Sequence, residues 1–183
     1  MGDSERGTRG RNPSQDDRYT EAANEFGSSL QRLVQAYEAD PGKRQDLSQE
    51  IHFQLWRSFG RYDERCSLRT WVYRIAHNAA ASHVMRERRA FSKLVSLDEL
   101  TCASARGDSQ AAANQQLDIG RLLSMVRQLK PLDRQVMLSY LEGLDAASTA
   151  EITGLSATAV ATRIYRIKNL LAAQIHKGAN HAR

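Results

Sequence analysis

The chain has 183 residues, with 26 Lys and Arg against 21 Asp and Glu, a formal charge of +5 and a hydrophobic fraction of 41%. That length holds one domain or two small ones with modest cores, and the charge favours an anionic partner. No window approaches the roughly 18 apolar residues of a membrane span, the N-terminus has no apolar leader core, and the two Cys are not closely spaced. The expectation is a cytoplasmic protein without a disulfide framework or direct membrane insertion.

Three Pro and 11 Gly among long Leu-, Ala-, Arg- and Gln-rich runs predict an all-α chain. Residues 1–20 are polar and predict a disordered tail. Helical periodicity then runs from about Glu21 through Phe26, Leu30, Leu33, Val34 and Tyr37, and Asp40-Pro41-Gly42 breaks it. A second helix follows from about Lys43 to Phe59, with Leu47, Ile51 and Leu55 in one stripe that Trp56 and Phe59 widen. Residues 60–66 read as a charged loop, and Ser67 as the N-cap of a long helix reaching about Arg89.

On that helix Leu68, Val72, Ile75, Ala76 and Ala79 share one face, while Arg74, His77, Asn78, Ala81, Met85 and Arg88 share the other. Residues 21–92 therefore form a candidate first domain of three to four helices. Residues 93–116 lack periodicity and read as a flexible linker, with a short helix near Leu97 to Leu100. Residues 117–177 form the second domain, and 178–183 a tail. Leu122, Val126 and Leu129 mark its first helix, and Pro131 opens the next, which Gly143 ends. A short helix then meets Gly154, and a longer one restarts at Ser156. Residues of about 146–166 thus have the build of a helix-turn-helix inside a four-helix unit.

The last helix carries the clearest chemistry. Val160, Ile164, Ile167 and Leu171 fall within about 60° of one another and face inward. The other side presents Thr158, Ala161, Thr162, Tyr165, Arg166 and Asn169, with Arg163 on the flank, and no carboxylate follows Glu151. Small residues near the helix start allow approach to base edges, and arginines bind phosphate or guanine. A second basic stretch lies at 69–93, where six Lys and Arg meet the single Glu87. Two such patches point to nucleic acid; a solvated basic surface is the alternative for each.

These motifs resemble one family, the extracytoplasmic-function group of bacterial sigma-70 factors. The second half shows Leu129, Pro131, Arg134 and Val136, then Tyr140, Glu142, Gly143 and Leu144, then residues 150–156 as Ala-Glu-Ile-Thr-Gly-Leu-Ser, then Arg163 and Arg166. The first half shows Asp46, Leu47, Gln49 and Glu50, then Leu55 with Trp56, Tyr62 with Asp63, and Ser67, Leu68, Thr70, Trp71, Tyr73, Ile75, Ala76 and Asn78.

The resemblance implies three surfaces. Asp46, Gln49, Glu50 and Phe53 would grip core RNA polymerase, because carboxylates with a neighbouring aromatic suit an interface that pairs with arginines around an apolar anchor. Tyr62, Asp63, Arg65, Ser67, Arg74, His77 and Asn78 would handle the promoter −10 element, where an unpaired base must be held by its edges. Thr158, Ala161, Thr162, Arg163, Tyr165 and Arg166 would read the −35 element in duplex DNA. It also implies a linker near the polymerase active-site channel, a monomer when free, and an anti-sigma factor, membrane-anchored, that holds the protein inactive until a stress signal.

Thr158, Ala159 and Ala161 depart from the family's commoner residues at the start of the recognition helix, which implies an unusual −35 preference. Thr149 stands where a buried aliphatic is usual. The histidines His52, His77, His83, His176 and His181 form no zinc-spaced set with Cys66 and Cys102, and phosphate-loop, zincin and Gly-x-Ser-x-Gly motifs are absent from the sequence. No enzyme activity, metal or cofactor is expected. The rival readings are a stand-alone helix-turn-helix regulator and a helical adaptor that binds only protein.

Overall fold

The computed structural model describes residues 13–95 and 113–180. Among them seven helices and no strand are found: α1 (Gln15–Tyr37), α2 (Pro41–Phe59), α3 (Leu68–Val95), α4 (Ala113–Gln128), α5 (Pro131–Leu141), α6 (Ala146–Thr153) and α7 (Ala157–Asn180).

Helix α1 starts inside the stretch expected to be a tail. Ser14 Oγ accepts from the Asp17 N–H at 3.1 Å, and Asp17 Oδ2 accepts from the Ser14 N–H at 2.9 Å, a reciprocal cap that satisfies two orphan donors. Residues 15–20 are therefore helix; residues 1–12 of the expected tail lie outside the described residues. Helix α2 begins at Pro41, two residues before the expected start, because Asp40 caps the Lys43 N–H at 3.0 Å and proline suits a first turn. Its stripe of Leu47, Ile51, Leu55 and Phe59 is buried, in contact with α1 and α3.

Trp56 departs from that stripe. It is 41% exposed, and its indole Nε1 donates to Asp16 Oδ1 at 2.7 Å, so it covers the first turn of α1 instead of entering the core. Ser67 caps α3 as expected, its Oγ accepting from the Thr70 N–H at 3.1 Å. Helices α3 and α4 run into both ends of the expected linker; residues 96–112, which include Cys102 and the anticipated short helix, lie outside the described residues, as do 181–183 of the C-terminal tail.

In the second half Val126, Val136, Met137, Ile152, Val160, Ile167 and Leu171 make the core. Asp145 caps α6 through the Ser148 N–H at 2.7 Å, and Gly154, at φ +74°, ends it in the left-handed conformation that a glycine adopts most easily. Ser156 Oγ then accepts from the Ala159 N–H at 3.2 Å and starts α7.

The halves do not stand apart. Helix α1 meets α4, and α3 meets α5 and α6, so the buried side chains of both halves join in one cluster. Helix α3 is consequently covered on two sides, with Val72, Ala76 and Ala79 buried on one and Tyr73 and His77 on the other.

Candidate polymerase and promoter interface

The outer face of α2 is open. Asp46 and Gln49 are exposed, Glu50 is half-buried and accepts from Gln54 Nε2 at 2.8 Å, and Phe53 is 54% exposed. Asp46, Gln49 and Phe53 lie opposite the Leu47, Ile51 and Leu55 stripe and Glu50 lies beside it toward α3, which leaves a phenyl ring near carboxylates in water. An exposed aromatic gains nothing for the isolated fold and suits an anchor for a partner.

The 60–67 loop sits between α2 and α3. Tyr62 is half-buried: its hydroxyl donates to the Cys66 carbonyl at 2.8 Å, and its ring lies 5.2 Å from Trp71, 6.1 Å from Phe59 and 5.4 Å from the Arg18 guanidinium. That ring shapes the loop and is not an open stacking platform. Asp63 and Arg65 are exposed and paired at 3.0 Å, while Ser67 keeps an exposed position with its hydroxyl committed to the cap. Trp71, half-buried, donates from Nε1 to Ser58 Oγ at 2.9 Å. Burial pushes the Cys66 thiol up, away from thiolate chemistry.

The polar face of α3 is split. Asn78 is exposed and Arg74 half-buried, but His77 is 1% exposed. Its Nδ1 lies 3.0 Å from Tyr37 Oη and its Nε2 3.4 Å from Ser139 Oγ on α5. Burial lowers its pKa to about 3, which keeps the ring neutral. His77 shares a helical face with Arg74 and Asn78, as the periodicity requires, yet α5 covers it. The expected contact of His77 with DNA is therefore absent from this arrangement, a correction that follows from the second half packing on α3.

On α7 the expected outer face is exposed at Thr158, Ala161, Thr162, Tyr165 and Arg166, with Tyr165 at 71%. Arg163 is half-buried. The cations are not unopposed, however. Asp133 of α5, itself buried, accepts from Arg163 Nη1 at 2.6 Å and Arg166 Nη2 at 2.9 Å. One carboxylate thus fixes two guanidiniums, whose remaining donors are directed by that anchorage. Thr149 is buried, with its Oγ1 lacking a hydrogen-bond partner, where an aliphatic side chain would fill the same space without that cost.

Glu142, quoted from the sequence only as part of a family motif, and Arg32, Arg127 and Arg18, which sequence reasoning did not single out, organise the rest. Glu142, at the end of α5, accepts Arg32 Nε at 2.8 Å and Nη2 at 2.7 Å, and the Tyr73 hydroxyl at 3.2 Å; its carbonyl accepts from Arg69. Burial alone would raise the Glu142 pKa, but hydrogen bonds from Arg32, Ser29 and Tyr73 more than reverse that and leave it lowered. Arg127 Nη1 donates to the Gln35 carbonyl at 2.8 Å in the same interface. Arg32 had no sequence signal, since its partner lies 110 positions away. Arg18, also without a sequence signal, ties α1 to the 60–67 loop. Among the described residues no group of three His, Cys, Asp or Glu could hold a metal ion, and no helix is long and apolar enough to cross a membrane.

A three-helix unit with an open acidic face, followed by a helix-turn-helix unit, defines a transcription-initiation factor of the sigma type. Residues 23–90 match the family model of sigma-70 region 2, and residues 119–171 that of sigma-70 region 4. The chain belongs to the extracytoplasmic-function group of the sigma-70 family and is an RNA polymerase sigma factor.

It is 28% identical over 141 residues to the extracytoplasmic-function sigma factor SigC of Mycobacterium tuberculosis, covering 75% of this chain and 73% of that one. With SigK of a Mycobacterium species (strain KMS) it shares 29% over 128 residues, covering 68% and 66%. Its fold is similar to the sigma factor RpoE in complex with the anti-sigma factor NepR from Bartonella quintana, at TM-score 0.67 and 16% identity over 89% of this chain and 98% of that one. It is also similar to CnrH in complex with the cytosolic domain of CnrY, at TM-score 0.65 and 19% identity over 90% of each.

Proposed function

We propose that this sigma factor divides its work among three surfaces. Asp46, Gln49, Glu50 and Phe53 on α2 latch onto core polymerase. The 60–67 loop with Arg74 and Asn78 engages the −10 strand during opening, and the outer face of α7 reads the −35 duplex. Nucleotide addition stays with the core enzyme, so the chain itself is not a catalyst and acts in the cytoplasm, as a monomer when free. An anti-sigma factor holds it inactive until a stress signal. RpoE, one similar structure, is bound to an anti-sigma factor, and CnrH, the other, is bound to the cytosolic domain of CnrY, which supports an antagonist anchored at a membrane.

The observation that carries this reading is Phe53, 54% exposed among the carboxylates of a helix whose other face is fully buried. Purified chain mixed with core polymerase and a promoter library should yield transcripts that start at a shared −35 and −10 spacing. Transcription that does not depend on the chain would sink the reading, and tight duplex binding without polymerase would favour a stand-alone regulator. Phe53→Ala should weaken core binding by about tenfold or more, as anchor residues do, while its melting temperature stays near wild type.

A further inference from the structure

We infer that Arg18 of α1 is a positioning residue for capture of the −10 strand: it holds the 60–67 loop in the shape that accepts an unpaired base. This rests on the assignment of that loop to the −10 element and extends it to a helix start that no promoter role reaches.

The loop's internal ties run from the Tyr62 hydroxyl to the Cys66 carbonyl and between Asp63 and Arg65, and neither engages Glu64. Glu64 is not a glycine yet sits at φ +61°, a left-handed conformation that costs it energy and that a tie from outside the loop would hold. Arg18 supplies one. Its side chain is 13% exposed; Nη1 donates to the Tyr62 carbonyl at 2.9 Å and Nη2 to Glu64 Oε1 at 2.6 Å, with the guanidinium 5.4 Å from the Tyr62 ring centre. One planar cation therefore fixes the loop backbone, the strained residue and the aromatic ring together.

The start of α1 is itself anchored. Gln15 Nε2 donates to the Trp56 carbonyl at 2.9 Å, and the Trp56 indole donates to Asp16 at 2.7 Å. Between α1 and the loop lies a cleft of about 500 Å³, walled by Arg18 and Glu21 on one side and by Tyr62, Arg65, Cys66 and Ser67 on the other. Loop backbone groups there can meet a base edge, and Arg65, exposed although paired with Asp63 at 3.0 Å, can turn to a phosphate. Cys66 presents a neutral thiol there, since burial raises its pKa, and adds no negative charge against the strand. Lysine cannot reproduce the tie, because a point charge on a flexible stem does not span two fixed acceptors.

The test uses the full chain assembled with core polymerase on a promoter drawn from the library. Arg18→Ala should bind core and −35 duplex within about twofold of wild type, yet lower permanganate reactivity of the −10 region about tenfold. Reselection of the library should show the −10 base preference flattened at one position, a change that general loss of stability would not produce. Arg18→Lys should recover less than half of the opening. Glu64→Ala removes the tie from the exposed loop side and should show the same pattern if Arg18→Ala fails to fold. Wild-type opening and base preference in both Arg18→Ala and Glu64→Ala would overturn the inference. If Arg65→Ala and Asn78→Ala impair opening while those two do not, only the role of Arg18 falls. If none of the four impairs opening, the −10 assignment of the loop falls with it.

Discussion

The outer face of α7 and the second face of α3 look alike in sequence and differ in the structure. Both oppose an apolar stripe, and both carry cations beside small or amide residues. On α7 that face lies in the open, with Tyr165 at 71% exposure; on α3 it is half covered, with His77 at 1% beneath α5. The difference comes from position in the fold. Helix α7 packs on α5 and α6, whereas α3 lies between α1 and α2 on one side and α5 and α6 on the other. Periodicity tells which side of a helix must be buried, and leaves open whether the other side stays free. In the packed arrangement the outer face of α7, proposed to read duplex, is presented, whereas α5 covers His77.

The largest test of that contrast is the tie at Glu142. Glu142→Ala removes both Arg32 hydrogen bonds and the Tyr73 hydroxyl bond at once. Breaking a fully buried pair costs roughly 3–5 kcal/mol, but Arg32 is 56% exposed and stays hydrated after the change, so about 2 kcal/mol against the packed arrangement is the better expectation. X-ray scattering in solution should show a larger radius of gyration for the variant. An unchanged radius would mean that apolar contacts alone hold α5 on α3, and Glu142 would lose its place in the comparison.

Acid should act on the same interface more gently. His77 has a pKa of about 3 when packed, lowered by burial, against about 6.5 when water reaches it. The packed form therefore binds fewer protons between those values. Its stability is complete above about 6.5 and declines as pH falls below it. Tyr37 and Ser139 bond the ring and Tyr73 flanks it, while the Glu142 carboxylate opposes the shift only in part. At pH 5.5 the loss is roughly 1 kcal/mol, one pKa unit's worth. Glu142, whose pKa is lowered from 4.5, adds its own loss only in more acid solution. Thermal melts from pH 7.5 to 5.5 should fall for wild type and stay flatter for His77→Gln; parallel curves would place the titration elsewhere.

Which features the sequence revealed follows from how local their causes are. The Leu47, Ile51 and Leu55 stripe, the Ser67 cap and the Gly154 turn depend on neighbours within about one turn, so periodicity and capping rules expose them. The cap at Ser14 is equally local, but Asp17 takes the place of the usual Glu or Gln and the surrounding polarity hides it. Trp56 looked like part of the stripe because its partner, Asp16, lies 40 positions upstream. His77 and Asp133 escaped for the same reason. Their surroundings come from helices 62 and 30 positions away, and no helical-wheel argument carries that information. The exposed residues of α2 and α7 were legible because no distant element among the described residues covers them.

The smallest expected effect separates two arginines that sequence treats alike. Arg163 and Arg166 share Asp133, but the first is 32% exposed and the second 63%. A phosphate contact releases a counterion, so its loss lowers the salt slope of duplex binding by about 0.9, or roughly threefold in affinity between 50 and 200 mM salt. Arg166→Ala should show that change, because its guanidinium keeps donors on the open side while one donates to Asp133. Arg163→Ala should leave the slope near wild type and lower the melting temperature instead, since buried Asp133 then keeps only the more solvated of its two cations. Fluorescence anisotropy across that salt range, paired with thermal melts, reads both quantities. Equal slopes for the two variants would mean that exposure does not sort these arginines, and that the open face of α7 extends over the flank that Arg163 occupies.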